Sequence, residues 1–86
     1  MRVTIPSALH SYTSGLGEVD VPGATLRELM AALEARFPGL RFRVIDEQDR
    51  IRPHMRLYVG VEMARDLSVL VIGADEVHIL LALSGG

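Results

Sequence analysis

One segment of this 86-residue chain fixes most of what it can become: the long helical period between Pro22-Gly23 and Pro38-Gly39. Leu26, Leu29, Met30, Leu33 and Phe37 recur there at the three- and four-residue spacing that gathers side chains on one helix face. Arg27, Ala31, Glu34 and Ala35 fall on the other side, toward water. Thr25 and Glu28 mark the start as a T-x-x-E capping box, which can satisfy two of the amide donors that a helix start leaves without partners. Pro38-Gly39 marks the stop. A single amphipathic helix must bury its stripe against another layer, so the rest of the chain has to supply one.

The flanking segments supply it as strands. Val3 and Ile5 alternate with Arg2 and Thr4 until Pro6 ends the run, and Val19 and Val21 alternate with Glu18 and Asp20. The turn-rich stretch 11–17 between them makes an N-terminal hairpin. Residues 40–45 fit either a strand or one short helical turn, and 46–49 read as a turn. Met55, Leu57 and Val59 point inward along a strand that Gly60 ends. Residues 61–74 leave room for at most one short strand, expected near 67–71. The last strand runs from Glu76 to Leu83, with Val77, Ile79, Leu81 and Leu83 toward the helix. Leu80 and Ala82 occupy its other face, where a half-solvated strand would carry polar residues. A strand that is apolar on both faces is central or covered by a partner. The expectation is an α+β domain: a mixed sheet of four to five strands packed on one main helix.

Composition narrows the function. A chain this short buries only about 60–65% of its unfolded surface, and with no cysteine it has neither a disulfide nor a zinc cluster to help. The same lack excludes a thiol nucleophile. A net charge of −2 gives no electrostatic case for nucleic acid, and the arginines are not interleaved with aromatics. The opening residues lack the apolar run of a signal peptide, and no stretch approaches the ~20 apolar residues of a membrane span, so a cytoplasmic protein is expected. All nine basic residues besides histidine are arginine, so no lysine ε-amine can accept an acyl group, although codon usage favouring arginine is the better explanation of the bias. His10, His54 and His78 have no metal-ligand spacing, so no metal site is expected. Gly15-Leu16-Gly17 leads into a strand, not a helix N-terminus, and is not a phosphate loop. Asp46, Glu47 and Asp49 read as a solvated turn.

The chemistry is concentrated in the last three residues, Ser84-Gly85-Gly86. Two glycines at a strand's end pack nothing and cost backbone entropy. Without Cβ atoms, however, they can thread a narrow channel and carry an ionised α-carboxylate, whose ordinary pKa is about 3.3–3.7, to a phosphoanhydride. The chain divides accordingly into a domain over 1–83 and a flexible tail over 84–86. On this reading Ser84 and Gly85 would do the threading and Gly86 would carry the reacting group; taken alone, the two glycines fit a frayed tail at least as well.

Together with the tail, Val3-Thr4-Ile5-Pro6, Thr25-Leu26-Arg27-Glu28-Leu29, Arg36-Phe37-Pro38-Gly39-Leu40, Arg52-Pro53-His54-Met55-Arg56-Leu57-Tyr58-Val59 and Asp75-Glu76-Val77-His78-Ile79-Leu80 carry a resemblance over essentially the whole chain. The sequence resembles the ThiS/MoaD family of ubiquitin-like sulfur carriers. That resemblance implies a β-grasp fold and a defined chemistry. A ubiquitin-activating-enzyme-like adenylyltransferase would use ATP to adenylate the Gly86 carboxylate, and a sulfur donor would displace AMP to leave a thiocarboxylate. A biosynthetic enzyme, in a cysteine, thiamine or thio-metabolite pathway, would accept the sulfur. The carrier itself would be no enzyme, with no catalytic side chain and no bound cofactor. Its partners would dock on the apolar sheet face at Leu80 and Ala82, with Tyr58 and Arg56 beside them. The alternatives are the small subunit of molybdopterin synthase, held by a large subunit, a modifier joined through Gly86 to target lysines, and an interaction module with inert glycines. Two loops depart from the family pattern: Gly60-Val61-Glu62-Met63 replaces an Asn-bearing turn, and the loop before the last strand is apolar at Val69, Leu70, Val71 and Ile72.

Overall fold

A computed structural model describes residues 1–82; Leu83, Ser84, Gly85 and Gly86 lie outside the described residues. Five strands form one sheet: β1 (Arg2–Thr4), β2 (Glu18–Asp20), β3 (Met55–Val59), β4 (Glu62–Met63) and β5 (Glu76–Leu81). Their order is β2-β1-β5-β3-β4. β1 and β5 run parallel, while the β1–β2, β3–β5 and β3–β4 pairs are antiparallel. The mixed sheet and the central position of the doubly apolar β5 are as the sequence predicts. Two helices, α1 (Leu26–Arg36) and α2 (Leu40–Val44), cover one face. The ambiguous stretch 40–45 is therefore helical, with its two apolar residues, Leu40 and Val44, both in the core.

The register explains the core. Val19, Val3 and Val77 lie abreast across three strands, and Leu57 lies opposite Ile79. All five are buried with Leu26, Leu29, Met30 and Leu33 of α1. Phe37, the last residue of the predicted stripe, packs only partly against them. Leu81 is a correction: it lies opposite the buried Met55 on the helix side, yet it is 39% exposed. No residue of β5 past Ile79 belongs to the core cluster, so the strand carries Leu81 beyond its rim.

The start of α1 is sealed from two directions. Thr25 Oγ1 accepts from the Glu28 amide at 3.2 Å, and the Glu28 carboxylate accepts at 2.8 Å from the Ala24 amide, one residue short of the return bond of an ordinary capping box. The two remaining first-turn amides, of Leu26 and Arg27, donate at 3.0 Å to the carbonyls of Val69 and Leu67. This corrects the strand expected near 67–71. Its carbonyls are committed to the helix, and only the isolated bridge between Leu70 and Thr25 has strand character. The short strand is instead β4, reached through the two-residue turn Gly60-Val61. Gly60 has φ +62°, whereas Val61 is not in the left-handed region, the combination a type II′ hairpin turn places at its two central residues. Glu34, read from the sequence as facing water, is half-buried: its carboxylate accepts from the Gly39 and Arg41 amides and caps α2.

Candidate functional site

The face of the sheet away from the helices holds the four residues predicted for docking. Alternation brings out Glu76, His78 and Leu80 from β5, and the register sets Leu80 beside Arg56 and His78 between Thr4 and Tyr58. Leu80 is 44% exposed, while Arg56, Tyr58 and Ala82 are half-buried. The structure therefore brings Leu80, Arg56 and Tyr58 onto one face, with Ala82 at its downstream rim. Among the described residues neither helix nor loop covers Leu80.

This face changes character along β5. At its upstream end the side chains satisfy one another. Arg2 forms an ion pair with Glu76 at 2.7 Å, and Glu76 lies 3.3 Å from His78 Nε2. His78 Nδ1 is 2.9 Å from Thr4 Oγ1, so a continuous polar chain crosses from β1 to β5. The Glu76 carboxylate holds the Arg2 guanidinium above its ordinary pKa, chiefly through that hydrogen bond. Downstream the polar chain stops. Leu80 is exposed, and the Ala82 amide donates to the His54 carbonyl at 2.8 Å, prolonging the β3–β5 pairing by one bond. The last described residue is thus anchored to the strand beside it. Gly86, Gly85 and Ser84, the residues assigned the tail chemistry, lie outside the described residues.

Around this tail root lie two depressions that sequence reasoning missed. One, of about 340 Å³, is lined by Ile51, Arg52, Pro53, Arg56, Met63 and Arg65 among others. The second, of about 170 Å³, is lined by Phe42, Arg43, Arg52 and His54. A shallow groove of about 600 Å³ lies at the far side of β4, between Val61, Glu62 and Met63 and the loop carrying Asp66 and Leu70. That loop splits: Leu67 and Val71 are in the core, whereas Leu70 and Ile72 are 64% and 72% exposed. Among the described residues no three His, Asp or Glu side chains converge as metal ligands, and no helix is long and apolar enough to cross a membrane.

The carboxylates of the turns are structural in their contacts. Asp49 bridges Arg41 at 2.8 Å and Arg27 at 3.1 Å, and the Arg41 hydrogen bond leads in holding its pKa below the ordinary value. Asp46 accepts from the Arg50 and Gln48 amides, the Arg50 bond contributing most to its lowered pKa. Asp66 is lowered by the Ser68 hydroxyl and amide. Asp46 and Asp49 line none of these depressions, in keeping with their reading as parts of a solvated turn, and Asp66, at the edge of the groove beside β4, has its carboxylate occupied by Ser68.

No protein-family model matches the chain. The sulfur carrier protein CysO of Mycobacterium tuberculosis is 33% identical over 91 residues, an alignment covering 100% of this chain and 98% of the relative. In three dimensions a chain of the BexX/CysO complex of Amycolatopsis orientalis is similar with a TM-score of 0.89 and 31% identity, covering 99% of this chain and 98% of that one. SAMP1 from Haloferax volcanii is similar with a TM-score of 0.74 and 26% identity, covering 99% and 97%.

Proposed function

The chain belongs to the ubiquitin-like sulfur carriers of the CysO type, with their β-grasp fold, and from that premise we propose that its cargo is a thiocarboxylate built on Gly86. A sulfur carrier is a co-substrate, not a catalyst, so the chemistry must be supplied from outside. A free carboxylate resists nucleophiles until one of its oxygens becomes part of a good leaving group. In the proposed sequence a Gly86 oxygen attacks the α-phosphorus of ATP held by an activating enzyme, and pyrophosphate leaves. Hydrosulfide, or a sulfur donor's equivalent, then adds to the acyl carbon and expels AMP. The terminal sulfur is finally passed to a biosynthetic acceptor, with cysteine formation the reading closest to the CysO relatives. No cofactor is needed on the carrier; ATP is bound by its partner.

The observation that carries this reading is the end-to-end sequence likeness to CysO, together with Gly85-Gly86 shortly after the central strand in the sequence. Docking at Leu80, Ala82, Tyr58 and Arg56 is supported by the exposure of Leu80 downstream of the paired polar groups on the same face. The BexX/CysO complex supports a second protein as the partner of such a carrier. The decisive experiment mixes the full chain with the ubiquitin-activating-type enzyme encoded by the same organism, ATP and sulfide, and takes an intact mass. The expected product gains the mass difference between one sulfur and one oxygen, confined to the C-terminal peptide. An unchanged mass with an enzyme proven active on its own carrier would sink the reading.

A second reading, a modifier conjugated through Gly86 to amines of target proteins, draws on the likeness to SAMP1, a small archaeal modifier protein. It predicts higher-mass adducts of the tagged chain in cell extract that survive denaturation and reducing agent. The carrier reading predicts only free protein.

A further inference from the structure

Arg43, Arg52, Arg56 and Arg65 line the two adjoining depressions at the tail root, and Arg52 is shared between them. No Asp or Glu lines either depression. Among the described residues, the arginines within 4 Å of a carboxylate are Arg2, Arg27 and Arg41, and none of these belongs to the cluster. The acid nearest in effect is Asp46, whose carboxylate feels Arg52 from beyond ion-pair distance and is occupied by the Arg50 and Gln48 amides.

Three of the four guanidinium groups are nevertheless held in place. Arg52 Nε donates to the Phe42 carbonyl at 2.7 Å, and its guanidinium lies over the Phe42 ring, 4.4 Å from the centroid. One terminal nitrogen of Arg56 donates to the Pro53 and Met55 carbonyls, each at 2.8 Å. Arg43 Nε donates to the Tyr12 hydroxyl, and its guanidinium lies over the Tyr12 ring. Neutral acceptors and aromatic faces orient these cations without cancelling their charge. A guanidinium has five N–H donors, so Arg43 and Arg52 each keep four for a partner and Arg56 keeps three. An arginine pre-ordered in this way loses less side-chain entropy on binding than a free one.

Resting on the sulfur-carrier reading, we propose that these four arginines form a cationic collar that docks on an acidic protein surface, the Asp/Glu-bearing rim of the channel in which an activating enzyme receives the tail. Guanidinium forks match carboxylates bidentately, which selects an acidic protein surface by chemistry. Distance selects the rim over the nucleotide. Residues 83–86 span at most about 14 Å when extended, so a carboxylate delivered by that reach lies a full tail length from the collar. The charge around the chain also argues against a polyanion such as RNA: the molecule is net −2, and outside the collar Arg2, Arg27 and Arg41 are each held by a carboxylate.

The test uses the enzyme that thiocarboxylates the native chain and measures ATP–pyrophosphate exchange against carrier concentration. In R43E/R52E/R56E the KM for the carrier is expected to rise roughly tenfold or more at about 50 mM salt, with kcat at saturation unchanged. R43K/R52K/R56K, which keeps the charge and loses the fork, should fall between. Arg36→Glu, the same change at an arginine that bonds the Asp20 carbonyl on β2 and lies over the Phe37 ring, should match the native chain. The native KM should itself rise between about 50 and about 500 mM salt, and the triple charge reversal should flatten that slope, a readout that a folding defect would not produce. A carrier KM within twofold of native, or a rise equal to that of Arg36→Glu, overturns the collar. A rise in the KM for ATP in its place assigns the arginines to nucleotide and also overturns it. If the native chain is never thiocarboxylated, the sulfur-carrier reading fails instead.

Discussion

The two ends of β5 are built to opposite rules. Where the strand begins, the side chains are paired within the chain: Arg2 with Glu76, His78 with Thr4 and Glu76, and the amides of the α1 start with the carbonyls of Leu67 and Val69. Where the described strand ends, guanidinium groups are oriented by carbonyls and rings, and Leu80 and Leu81 stand in the open. The contrast even runs through α2, where Arg41 is paired with Asp49 while Arg43, two residues on, meets only Tyr12. Satisfied groups hold a fold together, and oriented but unsatisfied ones are left for another molecule. Changes at the first end should therefore move stability, and changes at the second should move activity at constant stability.

The largest expected effect lies wholly at the second end. Deleting Gly86 should abolish thiocarboxylate formation, read as an unchanged intact mass after incubation with enzyme, ATP and sulfide. The thermal midpoint should stay within a degree or two, since no residue past Val77 and Ile79 on β5 joins the core. A truncated chain that melts markedly lower would show that the tail belongs to the fold and would erase the division of labour.

At the first end the heaviest single change is Leu67→Ala. Leu67 is 1% exposed, and its own carbonyl receives the Arg27 amide, so the cavity would open directly beneath the helix start. Large-to-small changes of this kind cost about 2–5 kcal/mol, a large share of the stability of so small a domain. Urea unfolding should show the loss, while the carrier KM at a temperature well below the midpoint stays at the native value. Gly23→Ala should follow at about 1–3 kcal/mol. Its Cβ would stand 2.8 Å from the Leu29 amide nitrogen and 3.0 Å from Leu29 Cα, against helix backbone that cannot step aside. A Gly23→Ala protein as stable as the native one would mean that the loop and helix do not meet as closely as described.

The first end was the more legible in sequence. The stripe from Leu26 to Leu33, the Thr25/Glu28 cap and the central position of β5 all follow from local period and residue type, because each is decided by neighbours within a turn or a strand. The sequence placed the short strand at 67–71 because four of those five residues are apolar and two of them are valines. Their carbonyls are claimed instead by amides some forty residues earlier, a pairing with no local trace. Gly60 announced a strand end, but its positive φ made that end a hairpin and moved the strand to Glu62–Met63. The collar was illegible for a related reason. Arg43, Arg52, Arg56 and Arg65 share no helical or strand period, and only tertiary pairing gathers them: the segment before β3 bonds back to α2 through Arg52, and the hairpin to β4 returns Arg65 beside Arg56. Leu80 and Ala82 were legible as a face, since alternation alone puts them there, whereas what docks on that face is not written in the period.

The smallest expected effect compares the paired arginines with the collar directly, through acid. Asp49 holds Arg41 and Arg27, and those contacts keep its carboxyl below the ordinary value in the folded chain. Because the folded pKa is depressed, the unfolded chain takes up the proton first as pH falls. The stabilisation is therefore complete above the unfolded value of about 3.9 and disappears as pH drops through it toward the lower folded one. Asp49 is exposed, so the effect should be small and should shrink further in high salt, where the Debye length contracts. In Asp49→Asn the urea midpoint should depend less steeply on pH between about 5 and about 3 than in the native chain. The collar variant R43Q/R52Q/R56Q should stay close to the native slope, because those arginines hold no carboxylate within 4 Å among the described residues and Arg52 is only the least of the influences that lower Asp46. If the collar variant flattened the acid limb as much as Asp49→Asn does, its arginines would be stabilising the fold through carboxylates after all. The two ends of the strand would then differ in degree, not in kind.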